Sequence, residues 1–184
     1  MRKAFIATVI VLAAAINLLG ASLAGVTLPD STQVAGKTLA LNGLGLRSKM
    51  MFKVYVAGLY VEQKSGDADA IIKADAPKRM VLQFLRDVSR DQMVDAYTEA
   101  FDNNAPSAKA SLKGEIDKLM AAFEPVATGE QMVFTYEPGK GTTLSVKAKD
   151  KVTIGGLPFA QAMFSCWIGP KPPSADFKTK LLGR

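Results

Sequence analysis

Histidine is absent from the 184-residue sequence, and cysteine occurs only once, as Cys166. Without histidine the chain cannot form a Ser-His-Asp triad or a Cys-His dyad, and it lacks the usual ligands of a zinc site. A single cysteine also excludes an intrachain disulfide. Cys166 falls in an apolar helical pattern with no basic neighbour, which indicates a buried, unreactive thiol. We therefore expect no metal site.

Nucleotide-binding motifs are missing as well. Gly43 and Gly45 form a G-x-G pair, but the rest of a dinucleotide fingerprint does not follow, and there is no phosphate-binding loop. The pair is better explained by a close approach between two backbones. We expect no cofactor.

The excess of positive charge is small, with 23 Lys+Arg against 17 Asp+Glu. Because no basic motif is interleaved with aromatic residues, nucleic-acid binding is not expected. Lysines are concentrated near residues 147–151 and in the C-terminal tail, where they indicate solvated strand and helix faces. Weak contact with a membrane surface is the alternative interpretation of these lysines.

The N-terminal segment has the pattern of a secretory signal. Two basic residues precede an uncharged, mostly apolar run over residues 4–19, and Ser22 and Ala24 occupy the −3 and −1 positions of a cleavage site. The run is shorter than the ~20 apolar residues of a typical membrane span, so cleavage is favoured over anchoring. We predict a signal peptide over residues 1–24, a single mature domain over residues 25–184, and a periplasmic or secreted location.

The hydrophobic periodicity of the mature chain changes from strand to helix and back again. Apolar β-branched and aromatic runs predict strands at 34–46, 51–61 and 79–86, and a three-strand meander follows at 131–137, 142–147 and 151–154. The run at 51–61 is apolar on both faces, which is typical of a central strand covered on both sides. Gly58 within it indicates a bulge or a close backbone approach.

Helical patterns occupy the remainder of the chain. Ser89 and Gln92 form a capping-box pair, followed by an apolar stripe that includes Met93 and Tyr97. Ser107 is predicted to cap the next helix, and Ser174 a short final one. Segregated strands and helices predict an α+β domain in which one antiparallel sheet is packed by helices.

Two segments carry a resemblance to a known family. Residues 41–61 read LNGLGLRSKMMFKVYVAGLYV and combine a G-x-G-x-R element with a K-V-Y-x-x-G-L-Y strand, and residues 159–183 read FAQAMFSCWIGPKPPSADFKTKLLG. With the helix pair and the meander, they resemble the bacterial chalcone isomerase-like family over residues 25–184. The resemblance implies an open-faced β-sandwich, the fold shared by plant chalcone isomerases and their fatty-acid-binding relatives.

The same resemblance implies candidate site residues. Arg47 matches the arginine that binds a carboxylate in the binding proteins and polarises a carbonyl in the isomerases. Tyr55 matches a tyrosine of the binding proteins, where the flavonoid-forming enzymes carry threonine. Met93 and Ala100 stand where those enzymes place a tyrosine and an asparagine, so two polar groups that orient a chalcone are missing.

The chemistry of these side chains agrees with that implication. A guanidinium matches a carboxylate bidentately and a phenol adds a donor, so Arg47 and Tyr55 could hold one head group while an apolar cleft takes a tail. Further lining is expected from Met93, Tyr97 and Ala100. Other methionines could provide adaptable lining if they face the same cavity, namely Met51, Met120, Met132 and Met163.

The prediction is an exported, non-catalytic protein that binds a fatty acid or a similar amphipathic carboxylate. The alternative is an intramolecular lyase of the chalcone isomerase type, in which Arg47 stabilises developing enolate or phenolate charge. A third hypothesis is an accessory protein that binds a partner and whose cleft is vestigial.

Overall fold

The computed structural model describes residues 20–184, so most of the predicted signal peptide lies outside the described residues. Within them, seven strands form a curled antiparallel sheet in which each strand pairs with the next along the chain. These strands are β3 (Ser31–Val34), β4 (Lys37–Lys49), β5 (Phe52–Val61), β6 (Lys78–Phe84), β7 (Gln131–Glu137), β8 (Gly141–Val146) and β9 (Lys149–Ile154). The predicted meander is thereby confirmed as the last three strands of this sheet.

One face of the sheet packs against helices and forms the larger core. The helices are α1 (Ala68–Lys73), α2 (Arg90–Asn104), α3 (Pro106–Ser111), α4 (Lys113–Ala122), α5 (Leu157–Ile168) and α6 (Ala175–Leu181). Helix α5 is buried almost throughout, and α2 and α6 lie beside it. The predicted α+β architecture, an antiparallel sheet packed by helices as in the open-faced β-sandwich of chalcone isomerases, is confirmed.

A second, smaller core lies on the opposite face of the sheet. Strands β1 (Gly20–Leu23) and β2 (Val26–Pro29) form a hairpin, from which Val26 and Leu28 are buried against the sheet. Tyr60 donates a hydrogen bond from its hydroxyl to the carbonyl of Pro29 at 2.8 Å. This hairpin covers β5 from behind, so that strand is buried on both faces as its apolar pattern predicts.

The side chains of β4 change phase at a β-bulge. The register with β5 shifts between Leu41 and Gly43, and the intervening Asn42 donates hydrogen bonds from its amide to the carbonyls of Ser65 and Leu181. An extra residue exchanges the two faces of a strand. Beyond the bulge, Gly43 and its alternate neighbours therefore face the helices.

Glycines allow α6 to lie directly on β4. A Cβ atom at Gly43 would stand 2.0 Å from the carbonyl oxygen of Lys180, and one at Gly45 would stand 2.9 Å from Cδ2 of Phe177. The close backbone approach predicted for the G-x-G pair is thus confirmed. The prediction of a bulge or a close backbone approach at Gly58 was wrong: the register is regular there, and a Cβ would meet a side chain, standing 2.6 Å from Cδ1 of Leu28.

Local predictions for the helices were correct at some boundaries and wrong at others. The capping box of Ser89 and Gln92 is present at the start of α2, and Ser174 caps α6 through the amide of Phe177. Ser107 does not cap a helix, because Pro106 begins α3 and no side chain caps it. The predicted single helix is instead two helices, interrupted at Leu112.

The search for membrane spans covered residues 20–184 and found no helix of sufficient length and hydropathy to cross a bilayer.

Candidate functional site

Arg47 and Tyr55 face each other across the hairpin of β4 and β5. Their Cα atoms are register partners, and Cζ of Arg47 lies 5.6 Å from the centroid of the Tyr55 ring. Because strand side chains alternate, Arg47 follows Gly43 and Gly45 on the face that packs against the helices. A second register shift lies between Arg47 and Ser48. The fold therefore directs a half-buried guanidinium towards the larger core.

Neighbouring aromatic rings fix the position of Tyr55. Its ring meets Phe84 of β6 edge-on at 5.6 Å between centroids and Phe177 of α6 edge-on at 6.2 Å. Only 4% of the Tyr55 residue is exposed. Aromatic pairs at such distances favour edge-to-face geometry, so the phenol is held by both the sheet and α6.

Tyr97 of α2 completes this group with a buried hydroxyl. Its ring packs against Phe123 at 4.9 Å and against Trp167 of α5 at 6.0 Å. The Tyr97 Oη atom is buried, and no atom of residues 20–184 forms a hydrogen bond with it. Burial raises the pKa of Tyr97 well above its ordinary value, so the group is a neutral hydroxyl without a partner. Buried polar groups usually have a hydrogen-bond partner.

Two cavities meet at these three side chains. Both are lined by a common set of residues, Arg47, Lys49, Tyr55, Ala96 and Tyr97. One cavity, of about 310 Å³, continues between the sheet and α2 and is lined by apolar side chains that include Val54, Leu82, Phe84, Val88 and Met93. We call it the apolar cavity. Its size is at the lower end of the range for small-molecule sites.

The other cavity is smaller and more polar. It has a volume of about 230 Å³ and extends between α2, α5 and the segment after α5, with lining from Glu99, Ala100, Asn103, Trp167 and Lys171. We call it the polar cavity. The group of Arg47, Tyr55 and Tyr97 therefore stands between an apolar space and a polar one.

The Arg47 guanidinium is charged and forms no ion pair within the described residues, although Glu99 in the lining of the polar cavity acts on it from a longer distance. Its interaction with Tyr55 raises the pKa of Arg47 above its ordinary value, although burial acts in the opposite direction. Across residues 20–184, no carboxylate lies within ion-pairing distance of Arg47. A half-buried cation without a counter-ion, beside two phenols, is well suited to bind an anionic oxygen.

The structure brings all five predicted site residues to these cavities. Arg47, Tyr55 and Tyr97 line both, whereas Met93 lines the apolar cavity and Ala100 the polar one. The other predicted methionines line neither cavity, so the condition on which they could contribute to the site is not met. Met132 and Met163 are packed in the core, Met120 is partly buried against it, and Met51 is exposed to solvent.

Sequence analysis missed Trp167, Cys166 and Lys171 as lining residues. Cys166 was predicted to be buried, and both it and Trp167 are buried, but they also form a wall of the polar cavity. Burial raises the pKa of the Cys166 thiol, which keeps it protonated and unreactive as predicted. No local sequence pattern distinguishes a core residue that borders a cavity from one that does not.

Candidate metal ligands were sought throughout residues 20–184. No group of three or more His, Cys, Asp or Glu side chains there could hold a metal ion.

A comparison with protein families decides the family of the chain. The model of chalcone isomerase-like proteins matches residues 20–183, which is nearly the whole described range. The chain belongs to the chalcone isomerase-like family. This confirms the resemblance carried by the G-x-G-x-R element and the strand that follows it.

Solved structures include a similar fold. The crystal structure of a fatty-acid binding protein from Arabidopsis thaliana matches this chalcone isomerase-like protein with a TM-score of 0.67 and 15% sequence identity. The match covers 86% of this chain and 92% of the plant chain. A search of curated proteins found no match. At this identity the likeness establishes the fold.

Proposed function

We propose that this chalcone isomerase-like protein is an exported binder of a fatty acid or a similar amphipathic carboxylate and that it is not an enzyme. The observation that carries the proposal is the Arg47 guanidinium at the head of the apolar cavity, which forms no ion pair within residues 20–184. The carboxylate would accept hydrogen bonds from Arg47 and from the hydroxyl groups of Tyr55 and Tyr97. The similar fold of a plant fatty-acid binding protein supports the same conclusion.

The carboxylate head and the acyl tail of such a ligand would contribute differently to the free energy of binding. A hydrogen bond to a charged group contributes about 1.5–3 kcal/mol, whereas each buried methylene contributes about 0.8 kcal/mol. Arg47 would therefore set the orientation and the preference for an anion. Most of the affinity would come from the acyl chain against Val54, Leu82 and Met93.

Trp167 provides a direct test, because it is the single tryptophan of the chain and lines the polar cavity beside Tyr97. We expect palmitate to change its fluorescence and to be bound at a single site. Arg47→Met should weaken palmitate binding about 10- to 100-fold, the loss of one charge-assisted contact. Native mass spectrometry of protein purified from its own host should reveal an acyl ligand.

The matched control is Arg79→Met. Arg79 donates hydrogen bonds to Thr135 at 2.9 Å and Thr32 at 2.7 Å, and its register position places it on the side of the smaller core. This variant removes the same charge away from the cavities and should keep the wild-type affinity. Absence of palmitate binding, or equal affinity in Arg47→Met, would contradict the proposal.

The isomerase alternative requires polar groups that orient a chalcone. The two positions that match such groups in the enzymes by resemblance are Met93 and Ala100, and both line the cavities with apolar atoms here. Chalcone absorbance should therefore decay at the uncatalysed rate in the presence of the protein. Acceleration that is lost in Arg47→Met would establish the alternative.

A further inference from the structure

The tip of the hairpin formed by β4 and β5 is unusually apolar. Among the described residues, the large apolar side chains that are exposed are three consecutive ones: Met50 is 90% exposed, Met51 95% and Phe52 59%. Solitary exposed apolar residues are common on protein surfaces, whereas grouped ones mark interaction sites. Met50 and Met51 are almost entirely open to solvent, whereas Arg86 covers one side of the Phe52 ring.

Folding of the hairpin does not account for these residues. Met50 has a φ of 56°, in the left-handed region that asparagine or glycine adopts more readily than methionine. Comparable turns of the chain use small or charged residues, at Ala24 and Gly25, Ala35 and Gly36, and Lys147 and Ala148. Methionine at the tip therefore lowers the stability of the turn and exposes apolar surface.

Three cations lie around the tip, and the nearby carboxylate of Asp87 interacts with Arg86 without forming an ion pair. Lys49 and Lys53 flank it in sequence, and Cζ of Arg86 lies 4.8 Å from the centroid of the Phe52 ring. Within residues 20–184, none of the three forms an ion pair. An apolar tip ringed by cations is complementary to an anionic lipid surface, which accepts methionine between its head groups and attracts lysine and arginine.

The lysines at the turn between β8 and β9 lack these properties. Lys147 pairs with Glu130 at 3.3 Å, and Lys151 pairs with Glu124 at 2.9 Å. That turn carries no large exposed apolar side chain. The hairpin tip is therefore a better candidate for membrane contact than this lysine cluster.

The tip also adjoins the opening of the apolar cavity. Met50, Phe52 and Arg86 line that cavity together with Arg47. A surface that touched residues 49–53 would thus lie against the space in which an acyl chain is proposed to bind.

We propose that the hairpin tip docks on an anionic lipid bilayer, with Met50 and Met51 inserted between head groups and Lys49, Lys53 and Arg86 at the anionic surface. In this orientation the apolar cavity opens towards the membrane, and a fatty acid passes directly between the bilayer and the cavity. The docking proposal depends only on the residues of the hairpin tip, whereas the transfer of a fatty acid also depends on the proposed function.

Vesicle flotation with the whole mature protein tests docking. The protein should float with vesicles of phosphatidylethanolamine and phosphatidylglycerol, bind pure phosphatidylcholine vesicles much less, and dissociate as salt is added. Met51→Asp should reduce binding at least about tenfold, because it removes buried apolar surface and adds a repelled charge. Lys53→Glu should reduce it by several fold.

Two further variants test whether unfolding or a general loss of positive charge explains reduced vesicle binding. Met50→Asn favours the observed turn, so its loss of vesicle binding would not reflect unfolding, which circular dichroism would check. Lys149→Glu makes the same charge change as Lys53→Glu at the other basic turn and should bind vesicles nearly as the wild type does. Equal binding by Met51→Asp and wild type, or no binding to anionic vesicles, would overturn docking.

Different measurements test the docking proposal and the proposed function. Met51 lines neither cavity, so Met51→Asp should keep its affinity for soluble palmitate but extract palmitate from vesicles more slowly. Arg47→Met should do the reverse, with weak palmitate binding and nearly intact flotation. If the tip instead mediates self-association, sedimentation would show wild-type dimers and Met51→Asp monomers, and docking would be wrong.

Discussion

The ring of Tyr97 stabilises the fold, whereas its hydroxyl is unfavourable in the ligand-free protein. Its ring contributes to the core through Phe123 and Trp167, but its hydroxyl is buried between the two cavities with no partner in residues 20–184. An unsatisfied buried hydroxyl costs about 1–3 kcal/mol. The proposed ligand would contact this hydroxyl beside Arg47 and would thereby explain why an unfavourable group is present there.

Tyr97→Phe should separate the two effects. In the ligand-free protein we expect the free energy of unfolding to stay the same or to rise by roughly 1 kcal/mol, because the unsatisfied hydroxyl is removed while the ring remains. Palmitate affinity should fall about 2- to 10-fold, since one neutral hydrogen bond is lost. Urea unfolding without ligand and fluorescence titration would measure the two quantities.

A purely structural tyrosine would behave differently in both measurements. Loss of stability in Tyr97→Phe would mean that the hydroxyl is satisfied in solution, and unchanged palmitate affinity would mean that it does not contact the ligand. Either result would remove Tyr97 from the site. Tyr60→Phe is a suitable control, because the Tyr60 hydroxyl is already satisfied by Pro29 on the other face of the sheet.

At the scale of elements, the contact between α6 and β4 connects the G-x-G pair to the site. Gly43 allows the backbone of α6 to lie against β4, and Phe177 on the same helix packs edge-on against Tyr55. The position of Tyr55 therefore depends on how closely α6 approaches the sheet. Residues without direct contact with a ligand can influence its binding through this helix.

Gly43→Ala tests this dependence. A Cβ at that position would collide with the carbonyl oxygens of Lys180 and Leu181, both of them backbone atoms, so α6 must move. We expect a loss of about 1–3 kcal/mol in the free energy of unfolding, as for overpacked cores, together with weaker palmitate binding. Urea denaturation and fluorescence titration would measure the two effects.

The matched control for that change is Gly114→Ala. Gly114 lies in α4, and a Cβ there would meet no atom within 4 Å. Alanine in place of glycine in a helix should raise the free energy of unfolding by about 0.5–1 kcal/mol and leave palmitate affinity unchanged. If both variants change stability in the same direction, the close contact at Gly43 is not what holds α6 in place.

Elements could be predicted where a local signal exists. The capping box at Ser89 and the apolar run of β5 are such signals, and both were interpreted correctly. No proline marks the break at Leu112, and the nearby Gly114 is itself part of α4, so the sequence suggested one continuous helix. Proline is compatible with the first turn of a helix, and α3 begins at Pro106 rather than after a cap at Ser107.

At the scale of the whole molecule, the site lies where three layers meet: the sheet, α2 and α6. Arg47 and Tyr55 could be identified from sequence through the family motif, because they lie on two strands joined by a short turn. Their relation to Tyr97 and Trp167 depends on the packing of helices distant in sequence, which periodicity does not specify. The apolar tip was also missed, because Met51 and Phe52 continue the pattern of a buried strand.

The predicted signal cleavage would determine which residues the mature protein retains. The predicted cleavage after Ala24 falls in the two-residue turn of the β1 and β2 hairpin. Cleavage there would remove β1, whose residues alternate between exposed and half-buried, and would keep β2 with Val26 and Leu28 buried against the sheet. The smaller core would therefore persist in a chain that begins at Gly25.

We expect the protein recovered from the periplasmic or secreted fraction of its host to have the mass of residues 25–184. Ala24→Lys places a charge at the −1 position and should leave the precursor uncleaved, whereas the conservative Ala21→Ser should not alter the cleavage position. Intact-mass measurement after fractionation decides the outcome. A mature chain that keeps β1 would contradict cleavage after Ala24, and an unprocessed chain in the cytoplasm would contradict export. The predicted export also bears on the proposed docking, because it would determine which bilayer surface the hairpin tip encounters.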